Sequence, residues 1–433
     1  MNLKTCFQTR NVLLHTFLSL SFLASPMQAD DTQSLAIPVS DDGLPGEGPI
    51  RRYDWFKNLW LRKRTGWVDL IEQDQNSVVF LGDSITQGWN DSFRGHFKHL
   101  KKSNRGISGD TTRGVLIRMQ EDVLSLNPSG IVLLIGTNDL EEGARPRVIA
   151  GNVNLILKKL QSHRADMPII LCKVFPSDSS KKRPASSIKQ INEHLQNLAK
   201  NYPQVTVLDT WALFANAEGN AKSKEFPDLL HPNDQGYTMW AASLKPLLAT
   251  AGFIETTQDI FRLEKGFVSL FNGRNLDGWG LRDMKSMMLK SDFSGETTSS
   301  DGRYQVINGR IVVTTPAESH RIQQMGTTRN FPENFILKLE FRATPNADSG
   351  VFIRRPQLQC RDYSLAGPYK DLKSYKPQDW NELVIEVRGN SAHCTCNGEV
   401  LEDAFQLPET GPIGLEGDRG QMEYRRIRMK RLQ

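Results

Sequence analysis

The feature that most constrains the fold is a change of hydrophobic period along the chain. Between residues 77 and 250, apolar runs of strand length alternate with helical patterns. The runs are Val78–Leu81, Ile131–Ile135, Ile169–Val174 and Val205–Leu208, and the helical patterns lie near 112–126, 147–163, 186–200 and 234–248. Strands that alternate with helices are joined by right-handed crossovers into a parallel sheet covered on both faces. Residues 51–250 are therefore predicted to form one three-layer α/β/α domain.

After residue 262 the helical periodicity ends, and short alternating segments separated by glycine turns take its place. These segments lie at 304–306, 310–314, 335–341, 350–354, 382–387 and 424–429. The pattern predicts an all-β sandwich over residues 262–433. The basic segment 424–431 alternates charge with Ile427 and Met429, and it is predicted to be a solvated edge strand, since charge on an edge blocks aggregation.

The N-terminus has the pattern of a secretory signal peptide over residues 1–29. Lys4 and Arg10 precede a short apolar run, Val12–Ala24, and small residues lead to a cleavage point after Ala29. The sequence therefore predicts a secreted or periplasmic protein. Residues 30–50 are rich in Asp, Gly, Pro and Ser, and they are predicted to form a flexible linker.

Residues 51–74 contain apolar residues at helical spacing among many basic ones. Phe56, Leu59 and Trp60 repeat at intervals of three and four, which predicts a helix. The basic run from Arg51 to Arg64 is compatible with a membrane surface or an acidic partner, but a solvated helix face is the favoured interpretation.

Charge and cysteine content narrow the functional classes. The net charge of +5 argues against a dedicated nucleic-acid binder, and no apolar stretch approaches the roughly 20 residues of a membrane span. Four cysteines follow the predicted leader: Cys172, Cys360, Cys394 and Cys396. Cys394 and Cys396 point to one face of a strand and are too far apart to pair readily. Either could pair with Cys360, and the spacing disfavours a zinc site.

Polar motifs follow the predicted strands of the first domain. Ser84 lies in Gly82–Trp89, directly after the first strand, where ligands bind in an open parallel sheet. A serine at this position is either a nucleophile or an ordinary helix cap. Trp89 and Arg113 are candidates for the border of the pocket. The alternatives are that Trp89 is a buried core aromatic and that Arg113 is a solvated surface residue.

Two further motifs carry potential hydrogen-bond donors. Gly109, in the stretch 104–112, lets the backbone approach a ligand so that its N–H faces an oxyanion. Asp110 and Thr111 are better interpreted as caps of the following helix. Asn138 follows the strand Ile131–Ile135 and either donates to developing negative charge or ends the strand through an Asx-turn.

The last motif is Asp228-Leu229-Leu230-His231-Pro232, just before the final helical pattern. Three-residue spacing lets one short turn present Asp228 and His231 to the same place. In such a pair, His acts as general base while Asp fixes its tautomer. The alternative is a capping Asp with a surface His.

Taken together, these four motifs from about residue 77 to 248 resemble the four sequence blocks of the SGNH (GDSL-type) hydrolases. The run from Gly106 to Arg113 is similar to the platelet-activating-factor acetylhydrolase catalytic-subunit branch. The resemblance implies a flavodoxin-like fold, with Ser84 as nucleophile, His231 as base and Asp228 as its orienting acid. It also implies an oxyanion hole built from Ser84, Gly109 and Asn138. It implies no metal or organic cofactor, and it favours small acyl groups, above all acetyl.

The second domain has its own resemblance. Leu270-Phe271-Asn272-Gly273 with Leu276-Asp277-Gly278-Trp279, then 349–354, 379–381 and 411–417, resemble the 3-keto-disaccharide hydrolase family, whose fold is a concanavalin-like jelly roll. The resemblance implies glycoside cleavage or glycan binding. Family members commonly carry Glu-x-Gln-x-x-Asp where this chain has Gln357-Leu358-Gln359-Cys360-Arg361-Asp362. Because an amide cannot replace a carboxylate base, a binding or degenerate module is favoured.

The sequence thus predicts a secreted serine esterase that removes acetyl groups from a small ester or an acetylated carbohydrate. The second domain is expected to hold a polysaccharide, through exposed Trp279 or Trp380 unless these are buried. Two alternatives stay open. In one, the jelly roll is the main catalyst and cleaves a disaccharide or glycoside. In the other, the chain is a non-enzymatic glycan-binding protein.

Overall fold

The computed structural model describes residues 35–254, 260–283, 286, 288–314 and 324–433. The predicted signal peptide, residues 1–29, lies outside the described residues. None of the helices in the described ranges combines the length and the apolar character needed to cross a membrane.

The first domain is built on a five-stranded parallel sheet. Its strands are β1 Val78–Gly82, β2 Lys102–Gly106, β3 Gly130–Leu134, β4 Ile169–Cys172 and β5 Val205–Leu208. The spatial order is β2-β1-β3-β4-β5, with β1 paired in parallel to both β2 and β3. All strands therefore end at the same edge of the sheet, and the predicted α/β architecture is confirmed.

Helices cover both faces of this sheet. They are α1 Asp54–Val68, α2 Ile71–Asp74, α3 Ser84–Gln87, α4 Thr112–Asp122, α5 Thr137–Glu141, α6 Pro146–His163, α7 Ala185–Ala199, α8 Thr210–Phe214 and α9 Asp234–Thr250, with short 3₁₀ turns at Phe93–Gly95, Leu124–Leu126 and Ser179–Lys181. Alternate residues of β1 enter two separate cores, Val79 and Leu81 on one face and Val78 and Phe80 on the other. Helices α4, α6 and α7 pack on the first face and α3, α8 and α9 on the second, which gives three layers.

Strand β2 has no apolar run, and the sequence pattern did not predict it. Its residues read Lys-Ser-Asn-Arg-Gly and occupy the edge of the sheet. The buried polar side chains find polar partners: Ser103 Oγ lies 2.8 Å from Ser77 Oγ, and Arg105 Nη2 donates to Asp74 Oδ2 at 2.7 Å. Hydrogen bonding thus replaces the hydrophobic signal on which strand prediction depends.

The described part of the predicted linker, residues 35–50, is not a free linker. The Trp60 Nε1–H donates to Leu35 O at 2.9 Å, and the Glu47 N–H donates to Asn152 Oδ1 at 3.0 Å. Thr111 Oγ1 donates to Pro49 O at 2.9 Å. Backbone groups that a Gly- and Pro-rich segment cannot satisfy by itself are satisfied here by the domain.

Helix α1 confirms the predicted helical spacing, and Lys57 and Arg62 of the basic run are exposed, as a solvated face requires, but two other residues of the run are not. Phe56 and Trp60 are buried, as the spacing requires. Arg64 is also buried, 1% exposed, and its Nε donates to Asp122 at 3.0 Å. Arg51, 7% exposed, pairs with Glu141 and Glu142. Arg51, just before the helix, and Arg64 within it therefore form internal ion pairs, which the spacing of charges along the chain cannot reveal.

The second domain consists of two antiparallel sheets packed face to face, which confirms the predicted all-β sandwich. One sheet has the order β17-β16-β15-β12-β19-β10-β9, with β6 paired to β19, and the other has the order β14-β13-β18-β11-β7-β8. The strands are β6 Val268–Ser269, β7 Trp279–Arg282, β8 Leu289–Asp292, β9 Tyr304–Ile307, β10 Arg310–Val313, β11 Gln324–Thr327, β12 Phe335–Ala343, β13 Gly350–Ile353, β14 Gln357–Gln359, β15 Asn381–Arg388, β16 Ser391–Cys396, β17 Glu399–Gln406, β18 Ile413–Glu416 and β19 Met422–Arg431.

The basic C-terminal segment is a central strand, so its prediction as a solvated edge strand was wrong. Strand β19 lies between β12 and β10. Its arginines are matched by acids on other segments: Arg425 Nε donates to Glu340 at 2.7 Å, and Arg428 donates to Glu264 at 2.6 Å. A row of charge can occupy the middle of a sheet when neighbouring segments supply its counter-charges.

The four described cysteines are buried free thiols, so neither pairing of Cys360 that the sequence allowed is formed. Trp279 is fully buried in the sandwich core. Trp380 is partly buried, because Arg342 and Arg425 lie over its ring, with the Arg425 guanidinium carbon 3.9 Å from the ring centroid.

Candidate active site

Ser84 lies at the carboxyl edge of the parallel sheet, two residues after β1 ends. It is the first residue of the short helix α3, and the preceding Asp83 caps that helix by accepting the Ile85 N–H at 2.9 Å. The cap is supplied by Asp83, which leaves the Ser84 hydroxyl free for another partner. The alternative of Ser84 as an ordinary helix cap is therefore not what the structure shows.

The turn before α9 brings His231 to Ser84 across 147 positions of sequence. His231 Nε2 lies 2.9 Å from Ser84 Oγ, and His231 Nδ1 lies 2.7 Å from Asp228 Oδ2. Asp228 Oδ1 also accepts the N–H groups of Leu230, at 3.0 Å, and of His231, at 2.7 Å. One carboxylate thus holds both the turn and the imidazole ring in place.

The protonation state of this series follows from its hydrogen bonds. Partial burial alone would raise the pKa of Asp228, but the hydrogen bonds from the His231 N–H, the His231 ring and the Leu230 N–H lower it overall. Asp228 is therefore a carboxylate at neutral pH and favours the tautomer with hydrogen on Nδ1. Nε2 is then the acceptor for the Ser84 hydroxyl proton, which is the arrangement a general base requires.

Gly109 and Asn138 lie on the loops after β2 and β3, at the same edge. Gly109 has φ +89°, a conformation that glycine adopts without strain. Across the described residues, the N–H groups of Ser84 and Gly109 donate to no protein acceptor. Asn138 Nδ2 donates one hydrogen to Asp110 O at 2.9 Å, and its second hydrogen remains for a ligand.

Arg183 orients the Asn138 side chain, and sequence reasoning missed it. Arg183 is 2% exposed, and its guanidinium donates to Asn138 Oδ1 at 3.0 Å, to Thr137 O at 3.0 Å and to Glu141 Oε2 at 2.8 Å. Because Arg183 occupies the amide oxygen, the amide nitrogen must face the other way. In sequence, Arg183 appears only as the end of a basic loop, Lys181-Lys182-Arg183, which gives no signal of this role.

The structure therefore predicts that Arg183→Met lowers kcat for ester hydrolysis by about 10- to 100-fold, because a misplaced donor stabilises the transition state less well. KM should change little, since the amide matters mainly after charge has developed. Steady-state kinetics on p-nitrophenyl acetate measure both constants. The matched control is Arg147→Met, which changes an exposed arginine on α6. A variant with normal kcat and a normal melting temperature would contradict the positioning role.

Buried acids fix the two loops that carry Gly109 and Asn138. Asp110 and Arg118, both fully buried, form an ion pair at 2.8 Å, and burial raises the pKa of Asp110 overall. Burial likewise raises the pKa of Asp139 to about 7, although this carboxyl accepts the Thr112 N–H and hydroxyl. The Thr111 side chain accepts the Gly114 N–H and caps α4, as predicted.

Two other residues that the sequence singled out do not reach Ser84. Trp89 is fully buried and stacks on Trp240 with ring centroids 4.2 Å apart. Arg113 is 7% exposed and donates to Asp41 and to the carbonyl oxygens of Pro45 and Gly48, so it is neither solvated nor a pocket residue. Its function is to hold the N-terminal segment on the domain.

In the second domain, a carboxyl group lies next to Gln357, the residue that stands where the family motif has Glu. Gln357, the first residue of β14, donates from Nε2 to Glu416, the last residue of β18. Gly350 on the intervening strand β13 makes this contact possible, because a Cβ there would occupy the position of the Gln357 amide. Burial raises the pKa of Glu416 to about 7, with nearby Asp418 and Asp348 adding to the rise. Sequence reasoning missed Glu416, since it is 59 residues from Gln357.

Comparison with known proteins agrees with this division of the chain. Residues 80–239 match the GDSL-like lipase/acylhydrolase family, and residues 266–430 match the 3-keto-alpha-glucoside-1,2-lyase-like domain. Over 224 residues the chain is 27% identical to the human platelet-activating factor acetylhydrolase IB subunit alpha2, covering 51% of this chain and 91% of that protein. It is 26% identical to the rat alpha1 subunit over 224 residues, covering 51% of this chain and 90% of that protein.

Among solved structures, a GDSL-like lipase from Bacteroides thetaiotaomicron is similar, with 24% identity and a TM-score of 0.39, covering 43% of this chain and 98% of that one. The family matches account for both halves of the molecule. The chain is therefore a hydrolase acting on ester bonds, with a GDSL-like acylhydrolase domain at residues 80–239 joined to a 3-keto-disaccharide hydrolase domain at residues 266–430.

Proposed function

We propose that the first domain hydrolyses short acyl esters, above all acetyl esters on a carbohydrate, through an acyl-enzyme on Ser84. The observation that carries the proposal is the contact of His231 Nε2 with Ser84 Oγ at 2.9 Å, with Asp228 behind the ring at 2.7 Å. A serine hydroxyl is a weak nucleophile until such a base removes its proton.

The reaction proceeds in two halves. Ser84 Oγ attacks the ester carbonyl while His231 Nε2 takes the hydroxyl proton, and a tetrahedral intermediate with one negative oxygen forms. That oxygen lies among the N–H groups of Ser84 and Gly109 and the free hydrogen of the Asn138 amide. The intermediate collapses to the acyl-enzyme, and the alcohol leaves with the proton from His231. A water molecule then repeats the sequence, which releases the acid and restores Ser84.

Two observations support a short acyl group on a polar alcohol. The site is open, with the side chains of His231 and Asp228 42% and 49% exposed, whereas a long acyl chain requires an enclosed apolar channel. The second domain matches a family whose description concerns a glucoside, which supports a carbohydrate as the alcohol. The relatives of the first domain are described as acetylhydrolases, which supports acetyl as the acyl group.

The proposal includes export from the cytoplasm, which rests on the signal-peptide pattern of residues 1–29. Export is needed for the enzyme to reach a glycan substrate outside the cell. N-terminal sequencing of the mature protein tests this part, with Asp30 expected as the first residue.

The primary experiment measures acetate released from acetylated xylan and from p-nitrophenyl acetate by the mature protein. Release from both substrates supports the esterase on a polysaccharide. Release from p-nitrophenyl acetate alone would support the esterase activity but contradict a polysaccharide substrate. If neither substrate yields acetate, the first domain is not an acetyl esterase.

A second candidate function is glycoside cleavage by the second domain, and Glu416 is the observation that favours it. A carboxyl group with its pKa raised to about 7 exchanges protons readily at neutral pH, as an acid–base catalyst must. It also lies against Gln357, where the family motif has its acid, so this chain has a carboxyl group near that position after all. The simplest alternative is that the domain only binds glycan, and retention on a polysaccharide column without turnover would indicate it.

We therefore expect that, if the second domain is catalytic, sugar release from a 3-keto-glucoside persists in Ser84→Ala and falls by about 10²-fold in Glu416→Gln. The substitution preserves shape and removes the proton-exchanging group. Glu409→Gln is a suitable control, because Glu409 is exposed outside the strands. Equal rates in Glu416→Gln and the unaltered protein would exclude Glu416 as the catalyst.

A further inference from the structure

Two aromatic side chains are exposed at the start of α1. Within residues 51–250, all of which the structure describes, the large hydrophobic side chains that are exposed are Tyr53, at 52%, and Trp55, at 53%. Their rings are nearly parallel, at 9°, with centroids 6.4 Å apart. Two adjacent aromatic rings left half in water form a small apolar surface that a ligand can cover.

Trp55 of this aromatic pair lies against the loop that carries Gly109. A Cβ added at Gly109 would lie 2.7 Å from Trp55 Cη2 and 3.2 Å from Phe56 Cδ2, so the indole ring is in contact with the Gly109 backbone. Phe56 and Trp60 are both buried and anchor the helix beneath the pair. The ring centroids of Trp55 and Phe56 are 5.6 Å apart, and those of Phe56 and Trp60 are 5.7 Å apart. Trp55 is therefore fixed next to one of the proposed oxyanion donors.

Charged groups lie along one side of the aromatic pair. The Tyr53 hydroxyl donates to Glu142 Oε2 at 3.3 Å, and Arg51 Nε donates to Glu142 Oε1 at 2.7 Å. Arg51 and Arg183 also bind Glu141, whose side chain remains 37% exposed. An open aromatic face beside carboxylates and guanidinium groups suits a ligand with one apolar face and a polar edge.

We propose that Tyr53 and Trp55 form a subsite for the sugar ring that carries the ester cleaved at Ser84. The inference rests on the proposed function and adds to it the residues that select the alcohol. The C–H face of a pyranose covers an aromatic ring, while its hydroxyl groups reach Glu141 and Glu142. A ring seated on Trp55 presents its ester within a few ångströms of the Gly109 N–H. An acyl chain fits this place poorly, because the surface is open and rimmed by charge.

The test compares kcat/KM for acetylated xylotriose with that for ethyl acetate, which has no ring. In Trp55→Ala the ratio of the two is expected to fall by about 10- to 30-fold, mainly through KM for the sugar ester, which is the scale of one lost stacking contact. Tyr53→Ala should lower the ratio less, and Trp55→Phe should recover most of it. Val400→Ala, which shortens an apolar side chain of the second domain that is as exposed as Trp55, at 53%, is the control and should leave the ratio unchanged.

The outcomes separate this inference from the proposed function. If the unaltered protein hydrolyses neither ester, the proposed function fails and the subsite with it. If both esters are hydrolysed and Trp55→Ala slows them equally, Trp55 only supports the Gly109 loop and the subsite is wrong. If the ratio holds but hydrolysis of p-nitrophenyl decanoate falls selectively, the aromatic pair binds an acyl chain, which also overturns it.

Discussion

Replacing Ser84 with alanine is expected to lower ester hydrolysis by up to about 10⁶-fold, without unfolding the protein. The hydroxyl supplies the bond to the acyl group, and His231 and Asp228 act only through it, so removal of one member costs nearly as much as removal of all three. Some rate above that of water should remain, because donors such as Gly109 and Asn138 still polarise a bound ester. The fold should tolerate the change, since the cap of α3 is Asp83 rather than Ser84.

The measurement is the rate of acetate release together with covalent labelling. Diethyl p-nitrophenyl phosphate should add one diethylphosphoryl group to the unaltered protein and none to Ser84→Ala, as read by mass spectrometry. Ser186→Ala, at an exposed serine on α7, controls for the loss of a surface hydroxyl. Normal turnover by Ser84→Ala would assign the reaction to another nucleophile and would falsify the mechanism.

Asn138→Ala is expected to reduce kcat by about 10²–10³-fold, the usual effect of removing one oxyanion donor. The large value follows from the fixed position of the amide. Asp110 O and Arg183 hold its two ends at 2.9 and 3.0 Å, so its remaining hydrogen points to the ligand without any cost of reorientation during the reaction.

Two measurements distinguish the role of Asn138 as an oxyanion donor from a loss of structure. KM for p-nitrophenyl acetate should change little, and the melting temperature should remain within a few degrees, since Arg183 keeps Glu141 and Thr137 O as partners. An unchanged kcat would show that Asn138 only ends its strand, which was the alternative that the sequence left open.

Much of the candidate site could be predicted because its residues lie in short sequence motifs that follow predicted strands or precede a predicted helix. A parallel sheet brings its carboxyl ends to one edge, so Ser84 and Asn138 had to lie near one another once β1 and β3 were assigned. Gly109 follows β2, which the hydrophobic pattern did not predict, so its place at this edge came from the folded structure. The three-residue spacing of Asp228 and His231 permitted a shared turn. That His231 reaches Ser84 at hydrogen-bond distance is a property of the folded chain, because 147 residues separate them.

Arg183 and Trp55 could not be predicted in the same way. Arg183 lies in a basic loop and Trp55 in a helix with a buried side chain next to it, and neither position carries a local signal of its partner. What they do depends on Asn138 and Gly109, which are 45 and 54 residues away. Sequence patterns report burial along one element, whereas these roles depend on contacts between elements.

The sequence by itself determined the two architectures of this protein and the order of the site motifs along the chain. Hydrophobic period decides which face of a segment is buried, and it needs no information from elsewhere in the chain. Only the tertiary structure decided that β2 is a strand, that β19 is central and that Glu416 faces Gln357. Each of these depends on polar partners contributed by distant segments. A buried charge or amide is stable only where its counterpart lies, and the chain brings the two together only on folding.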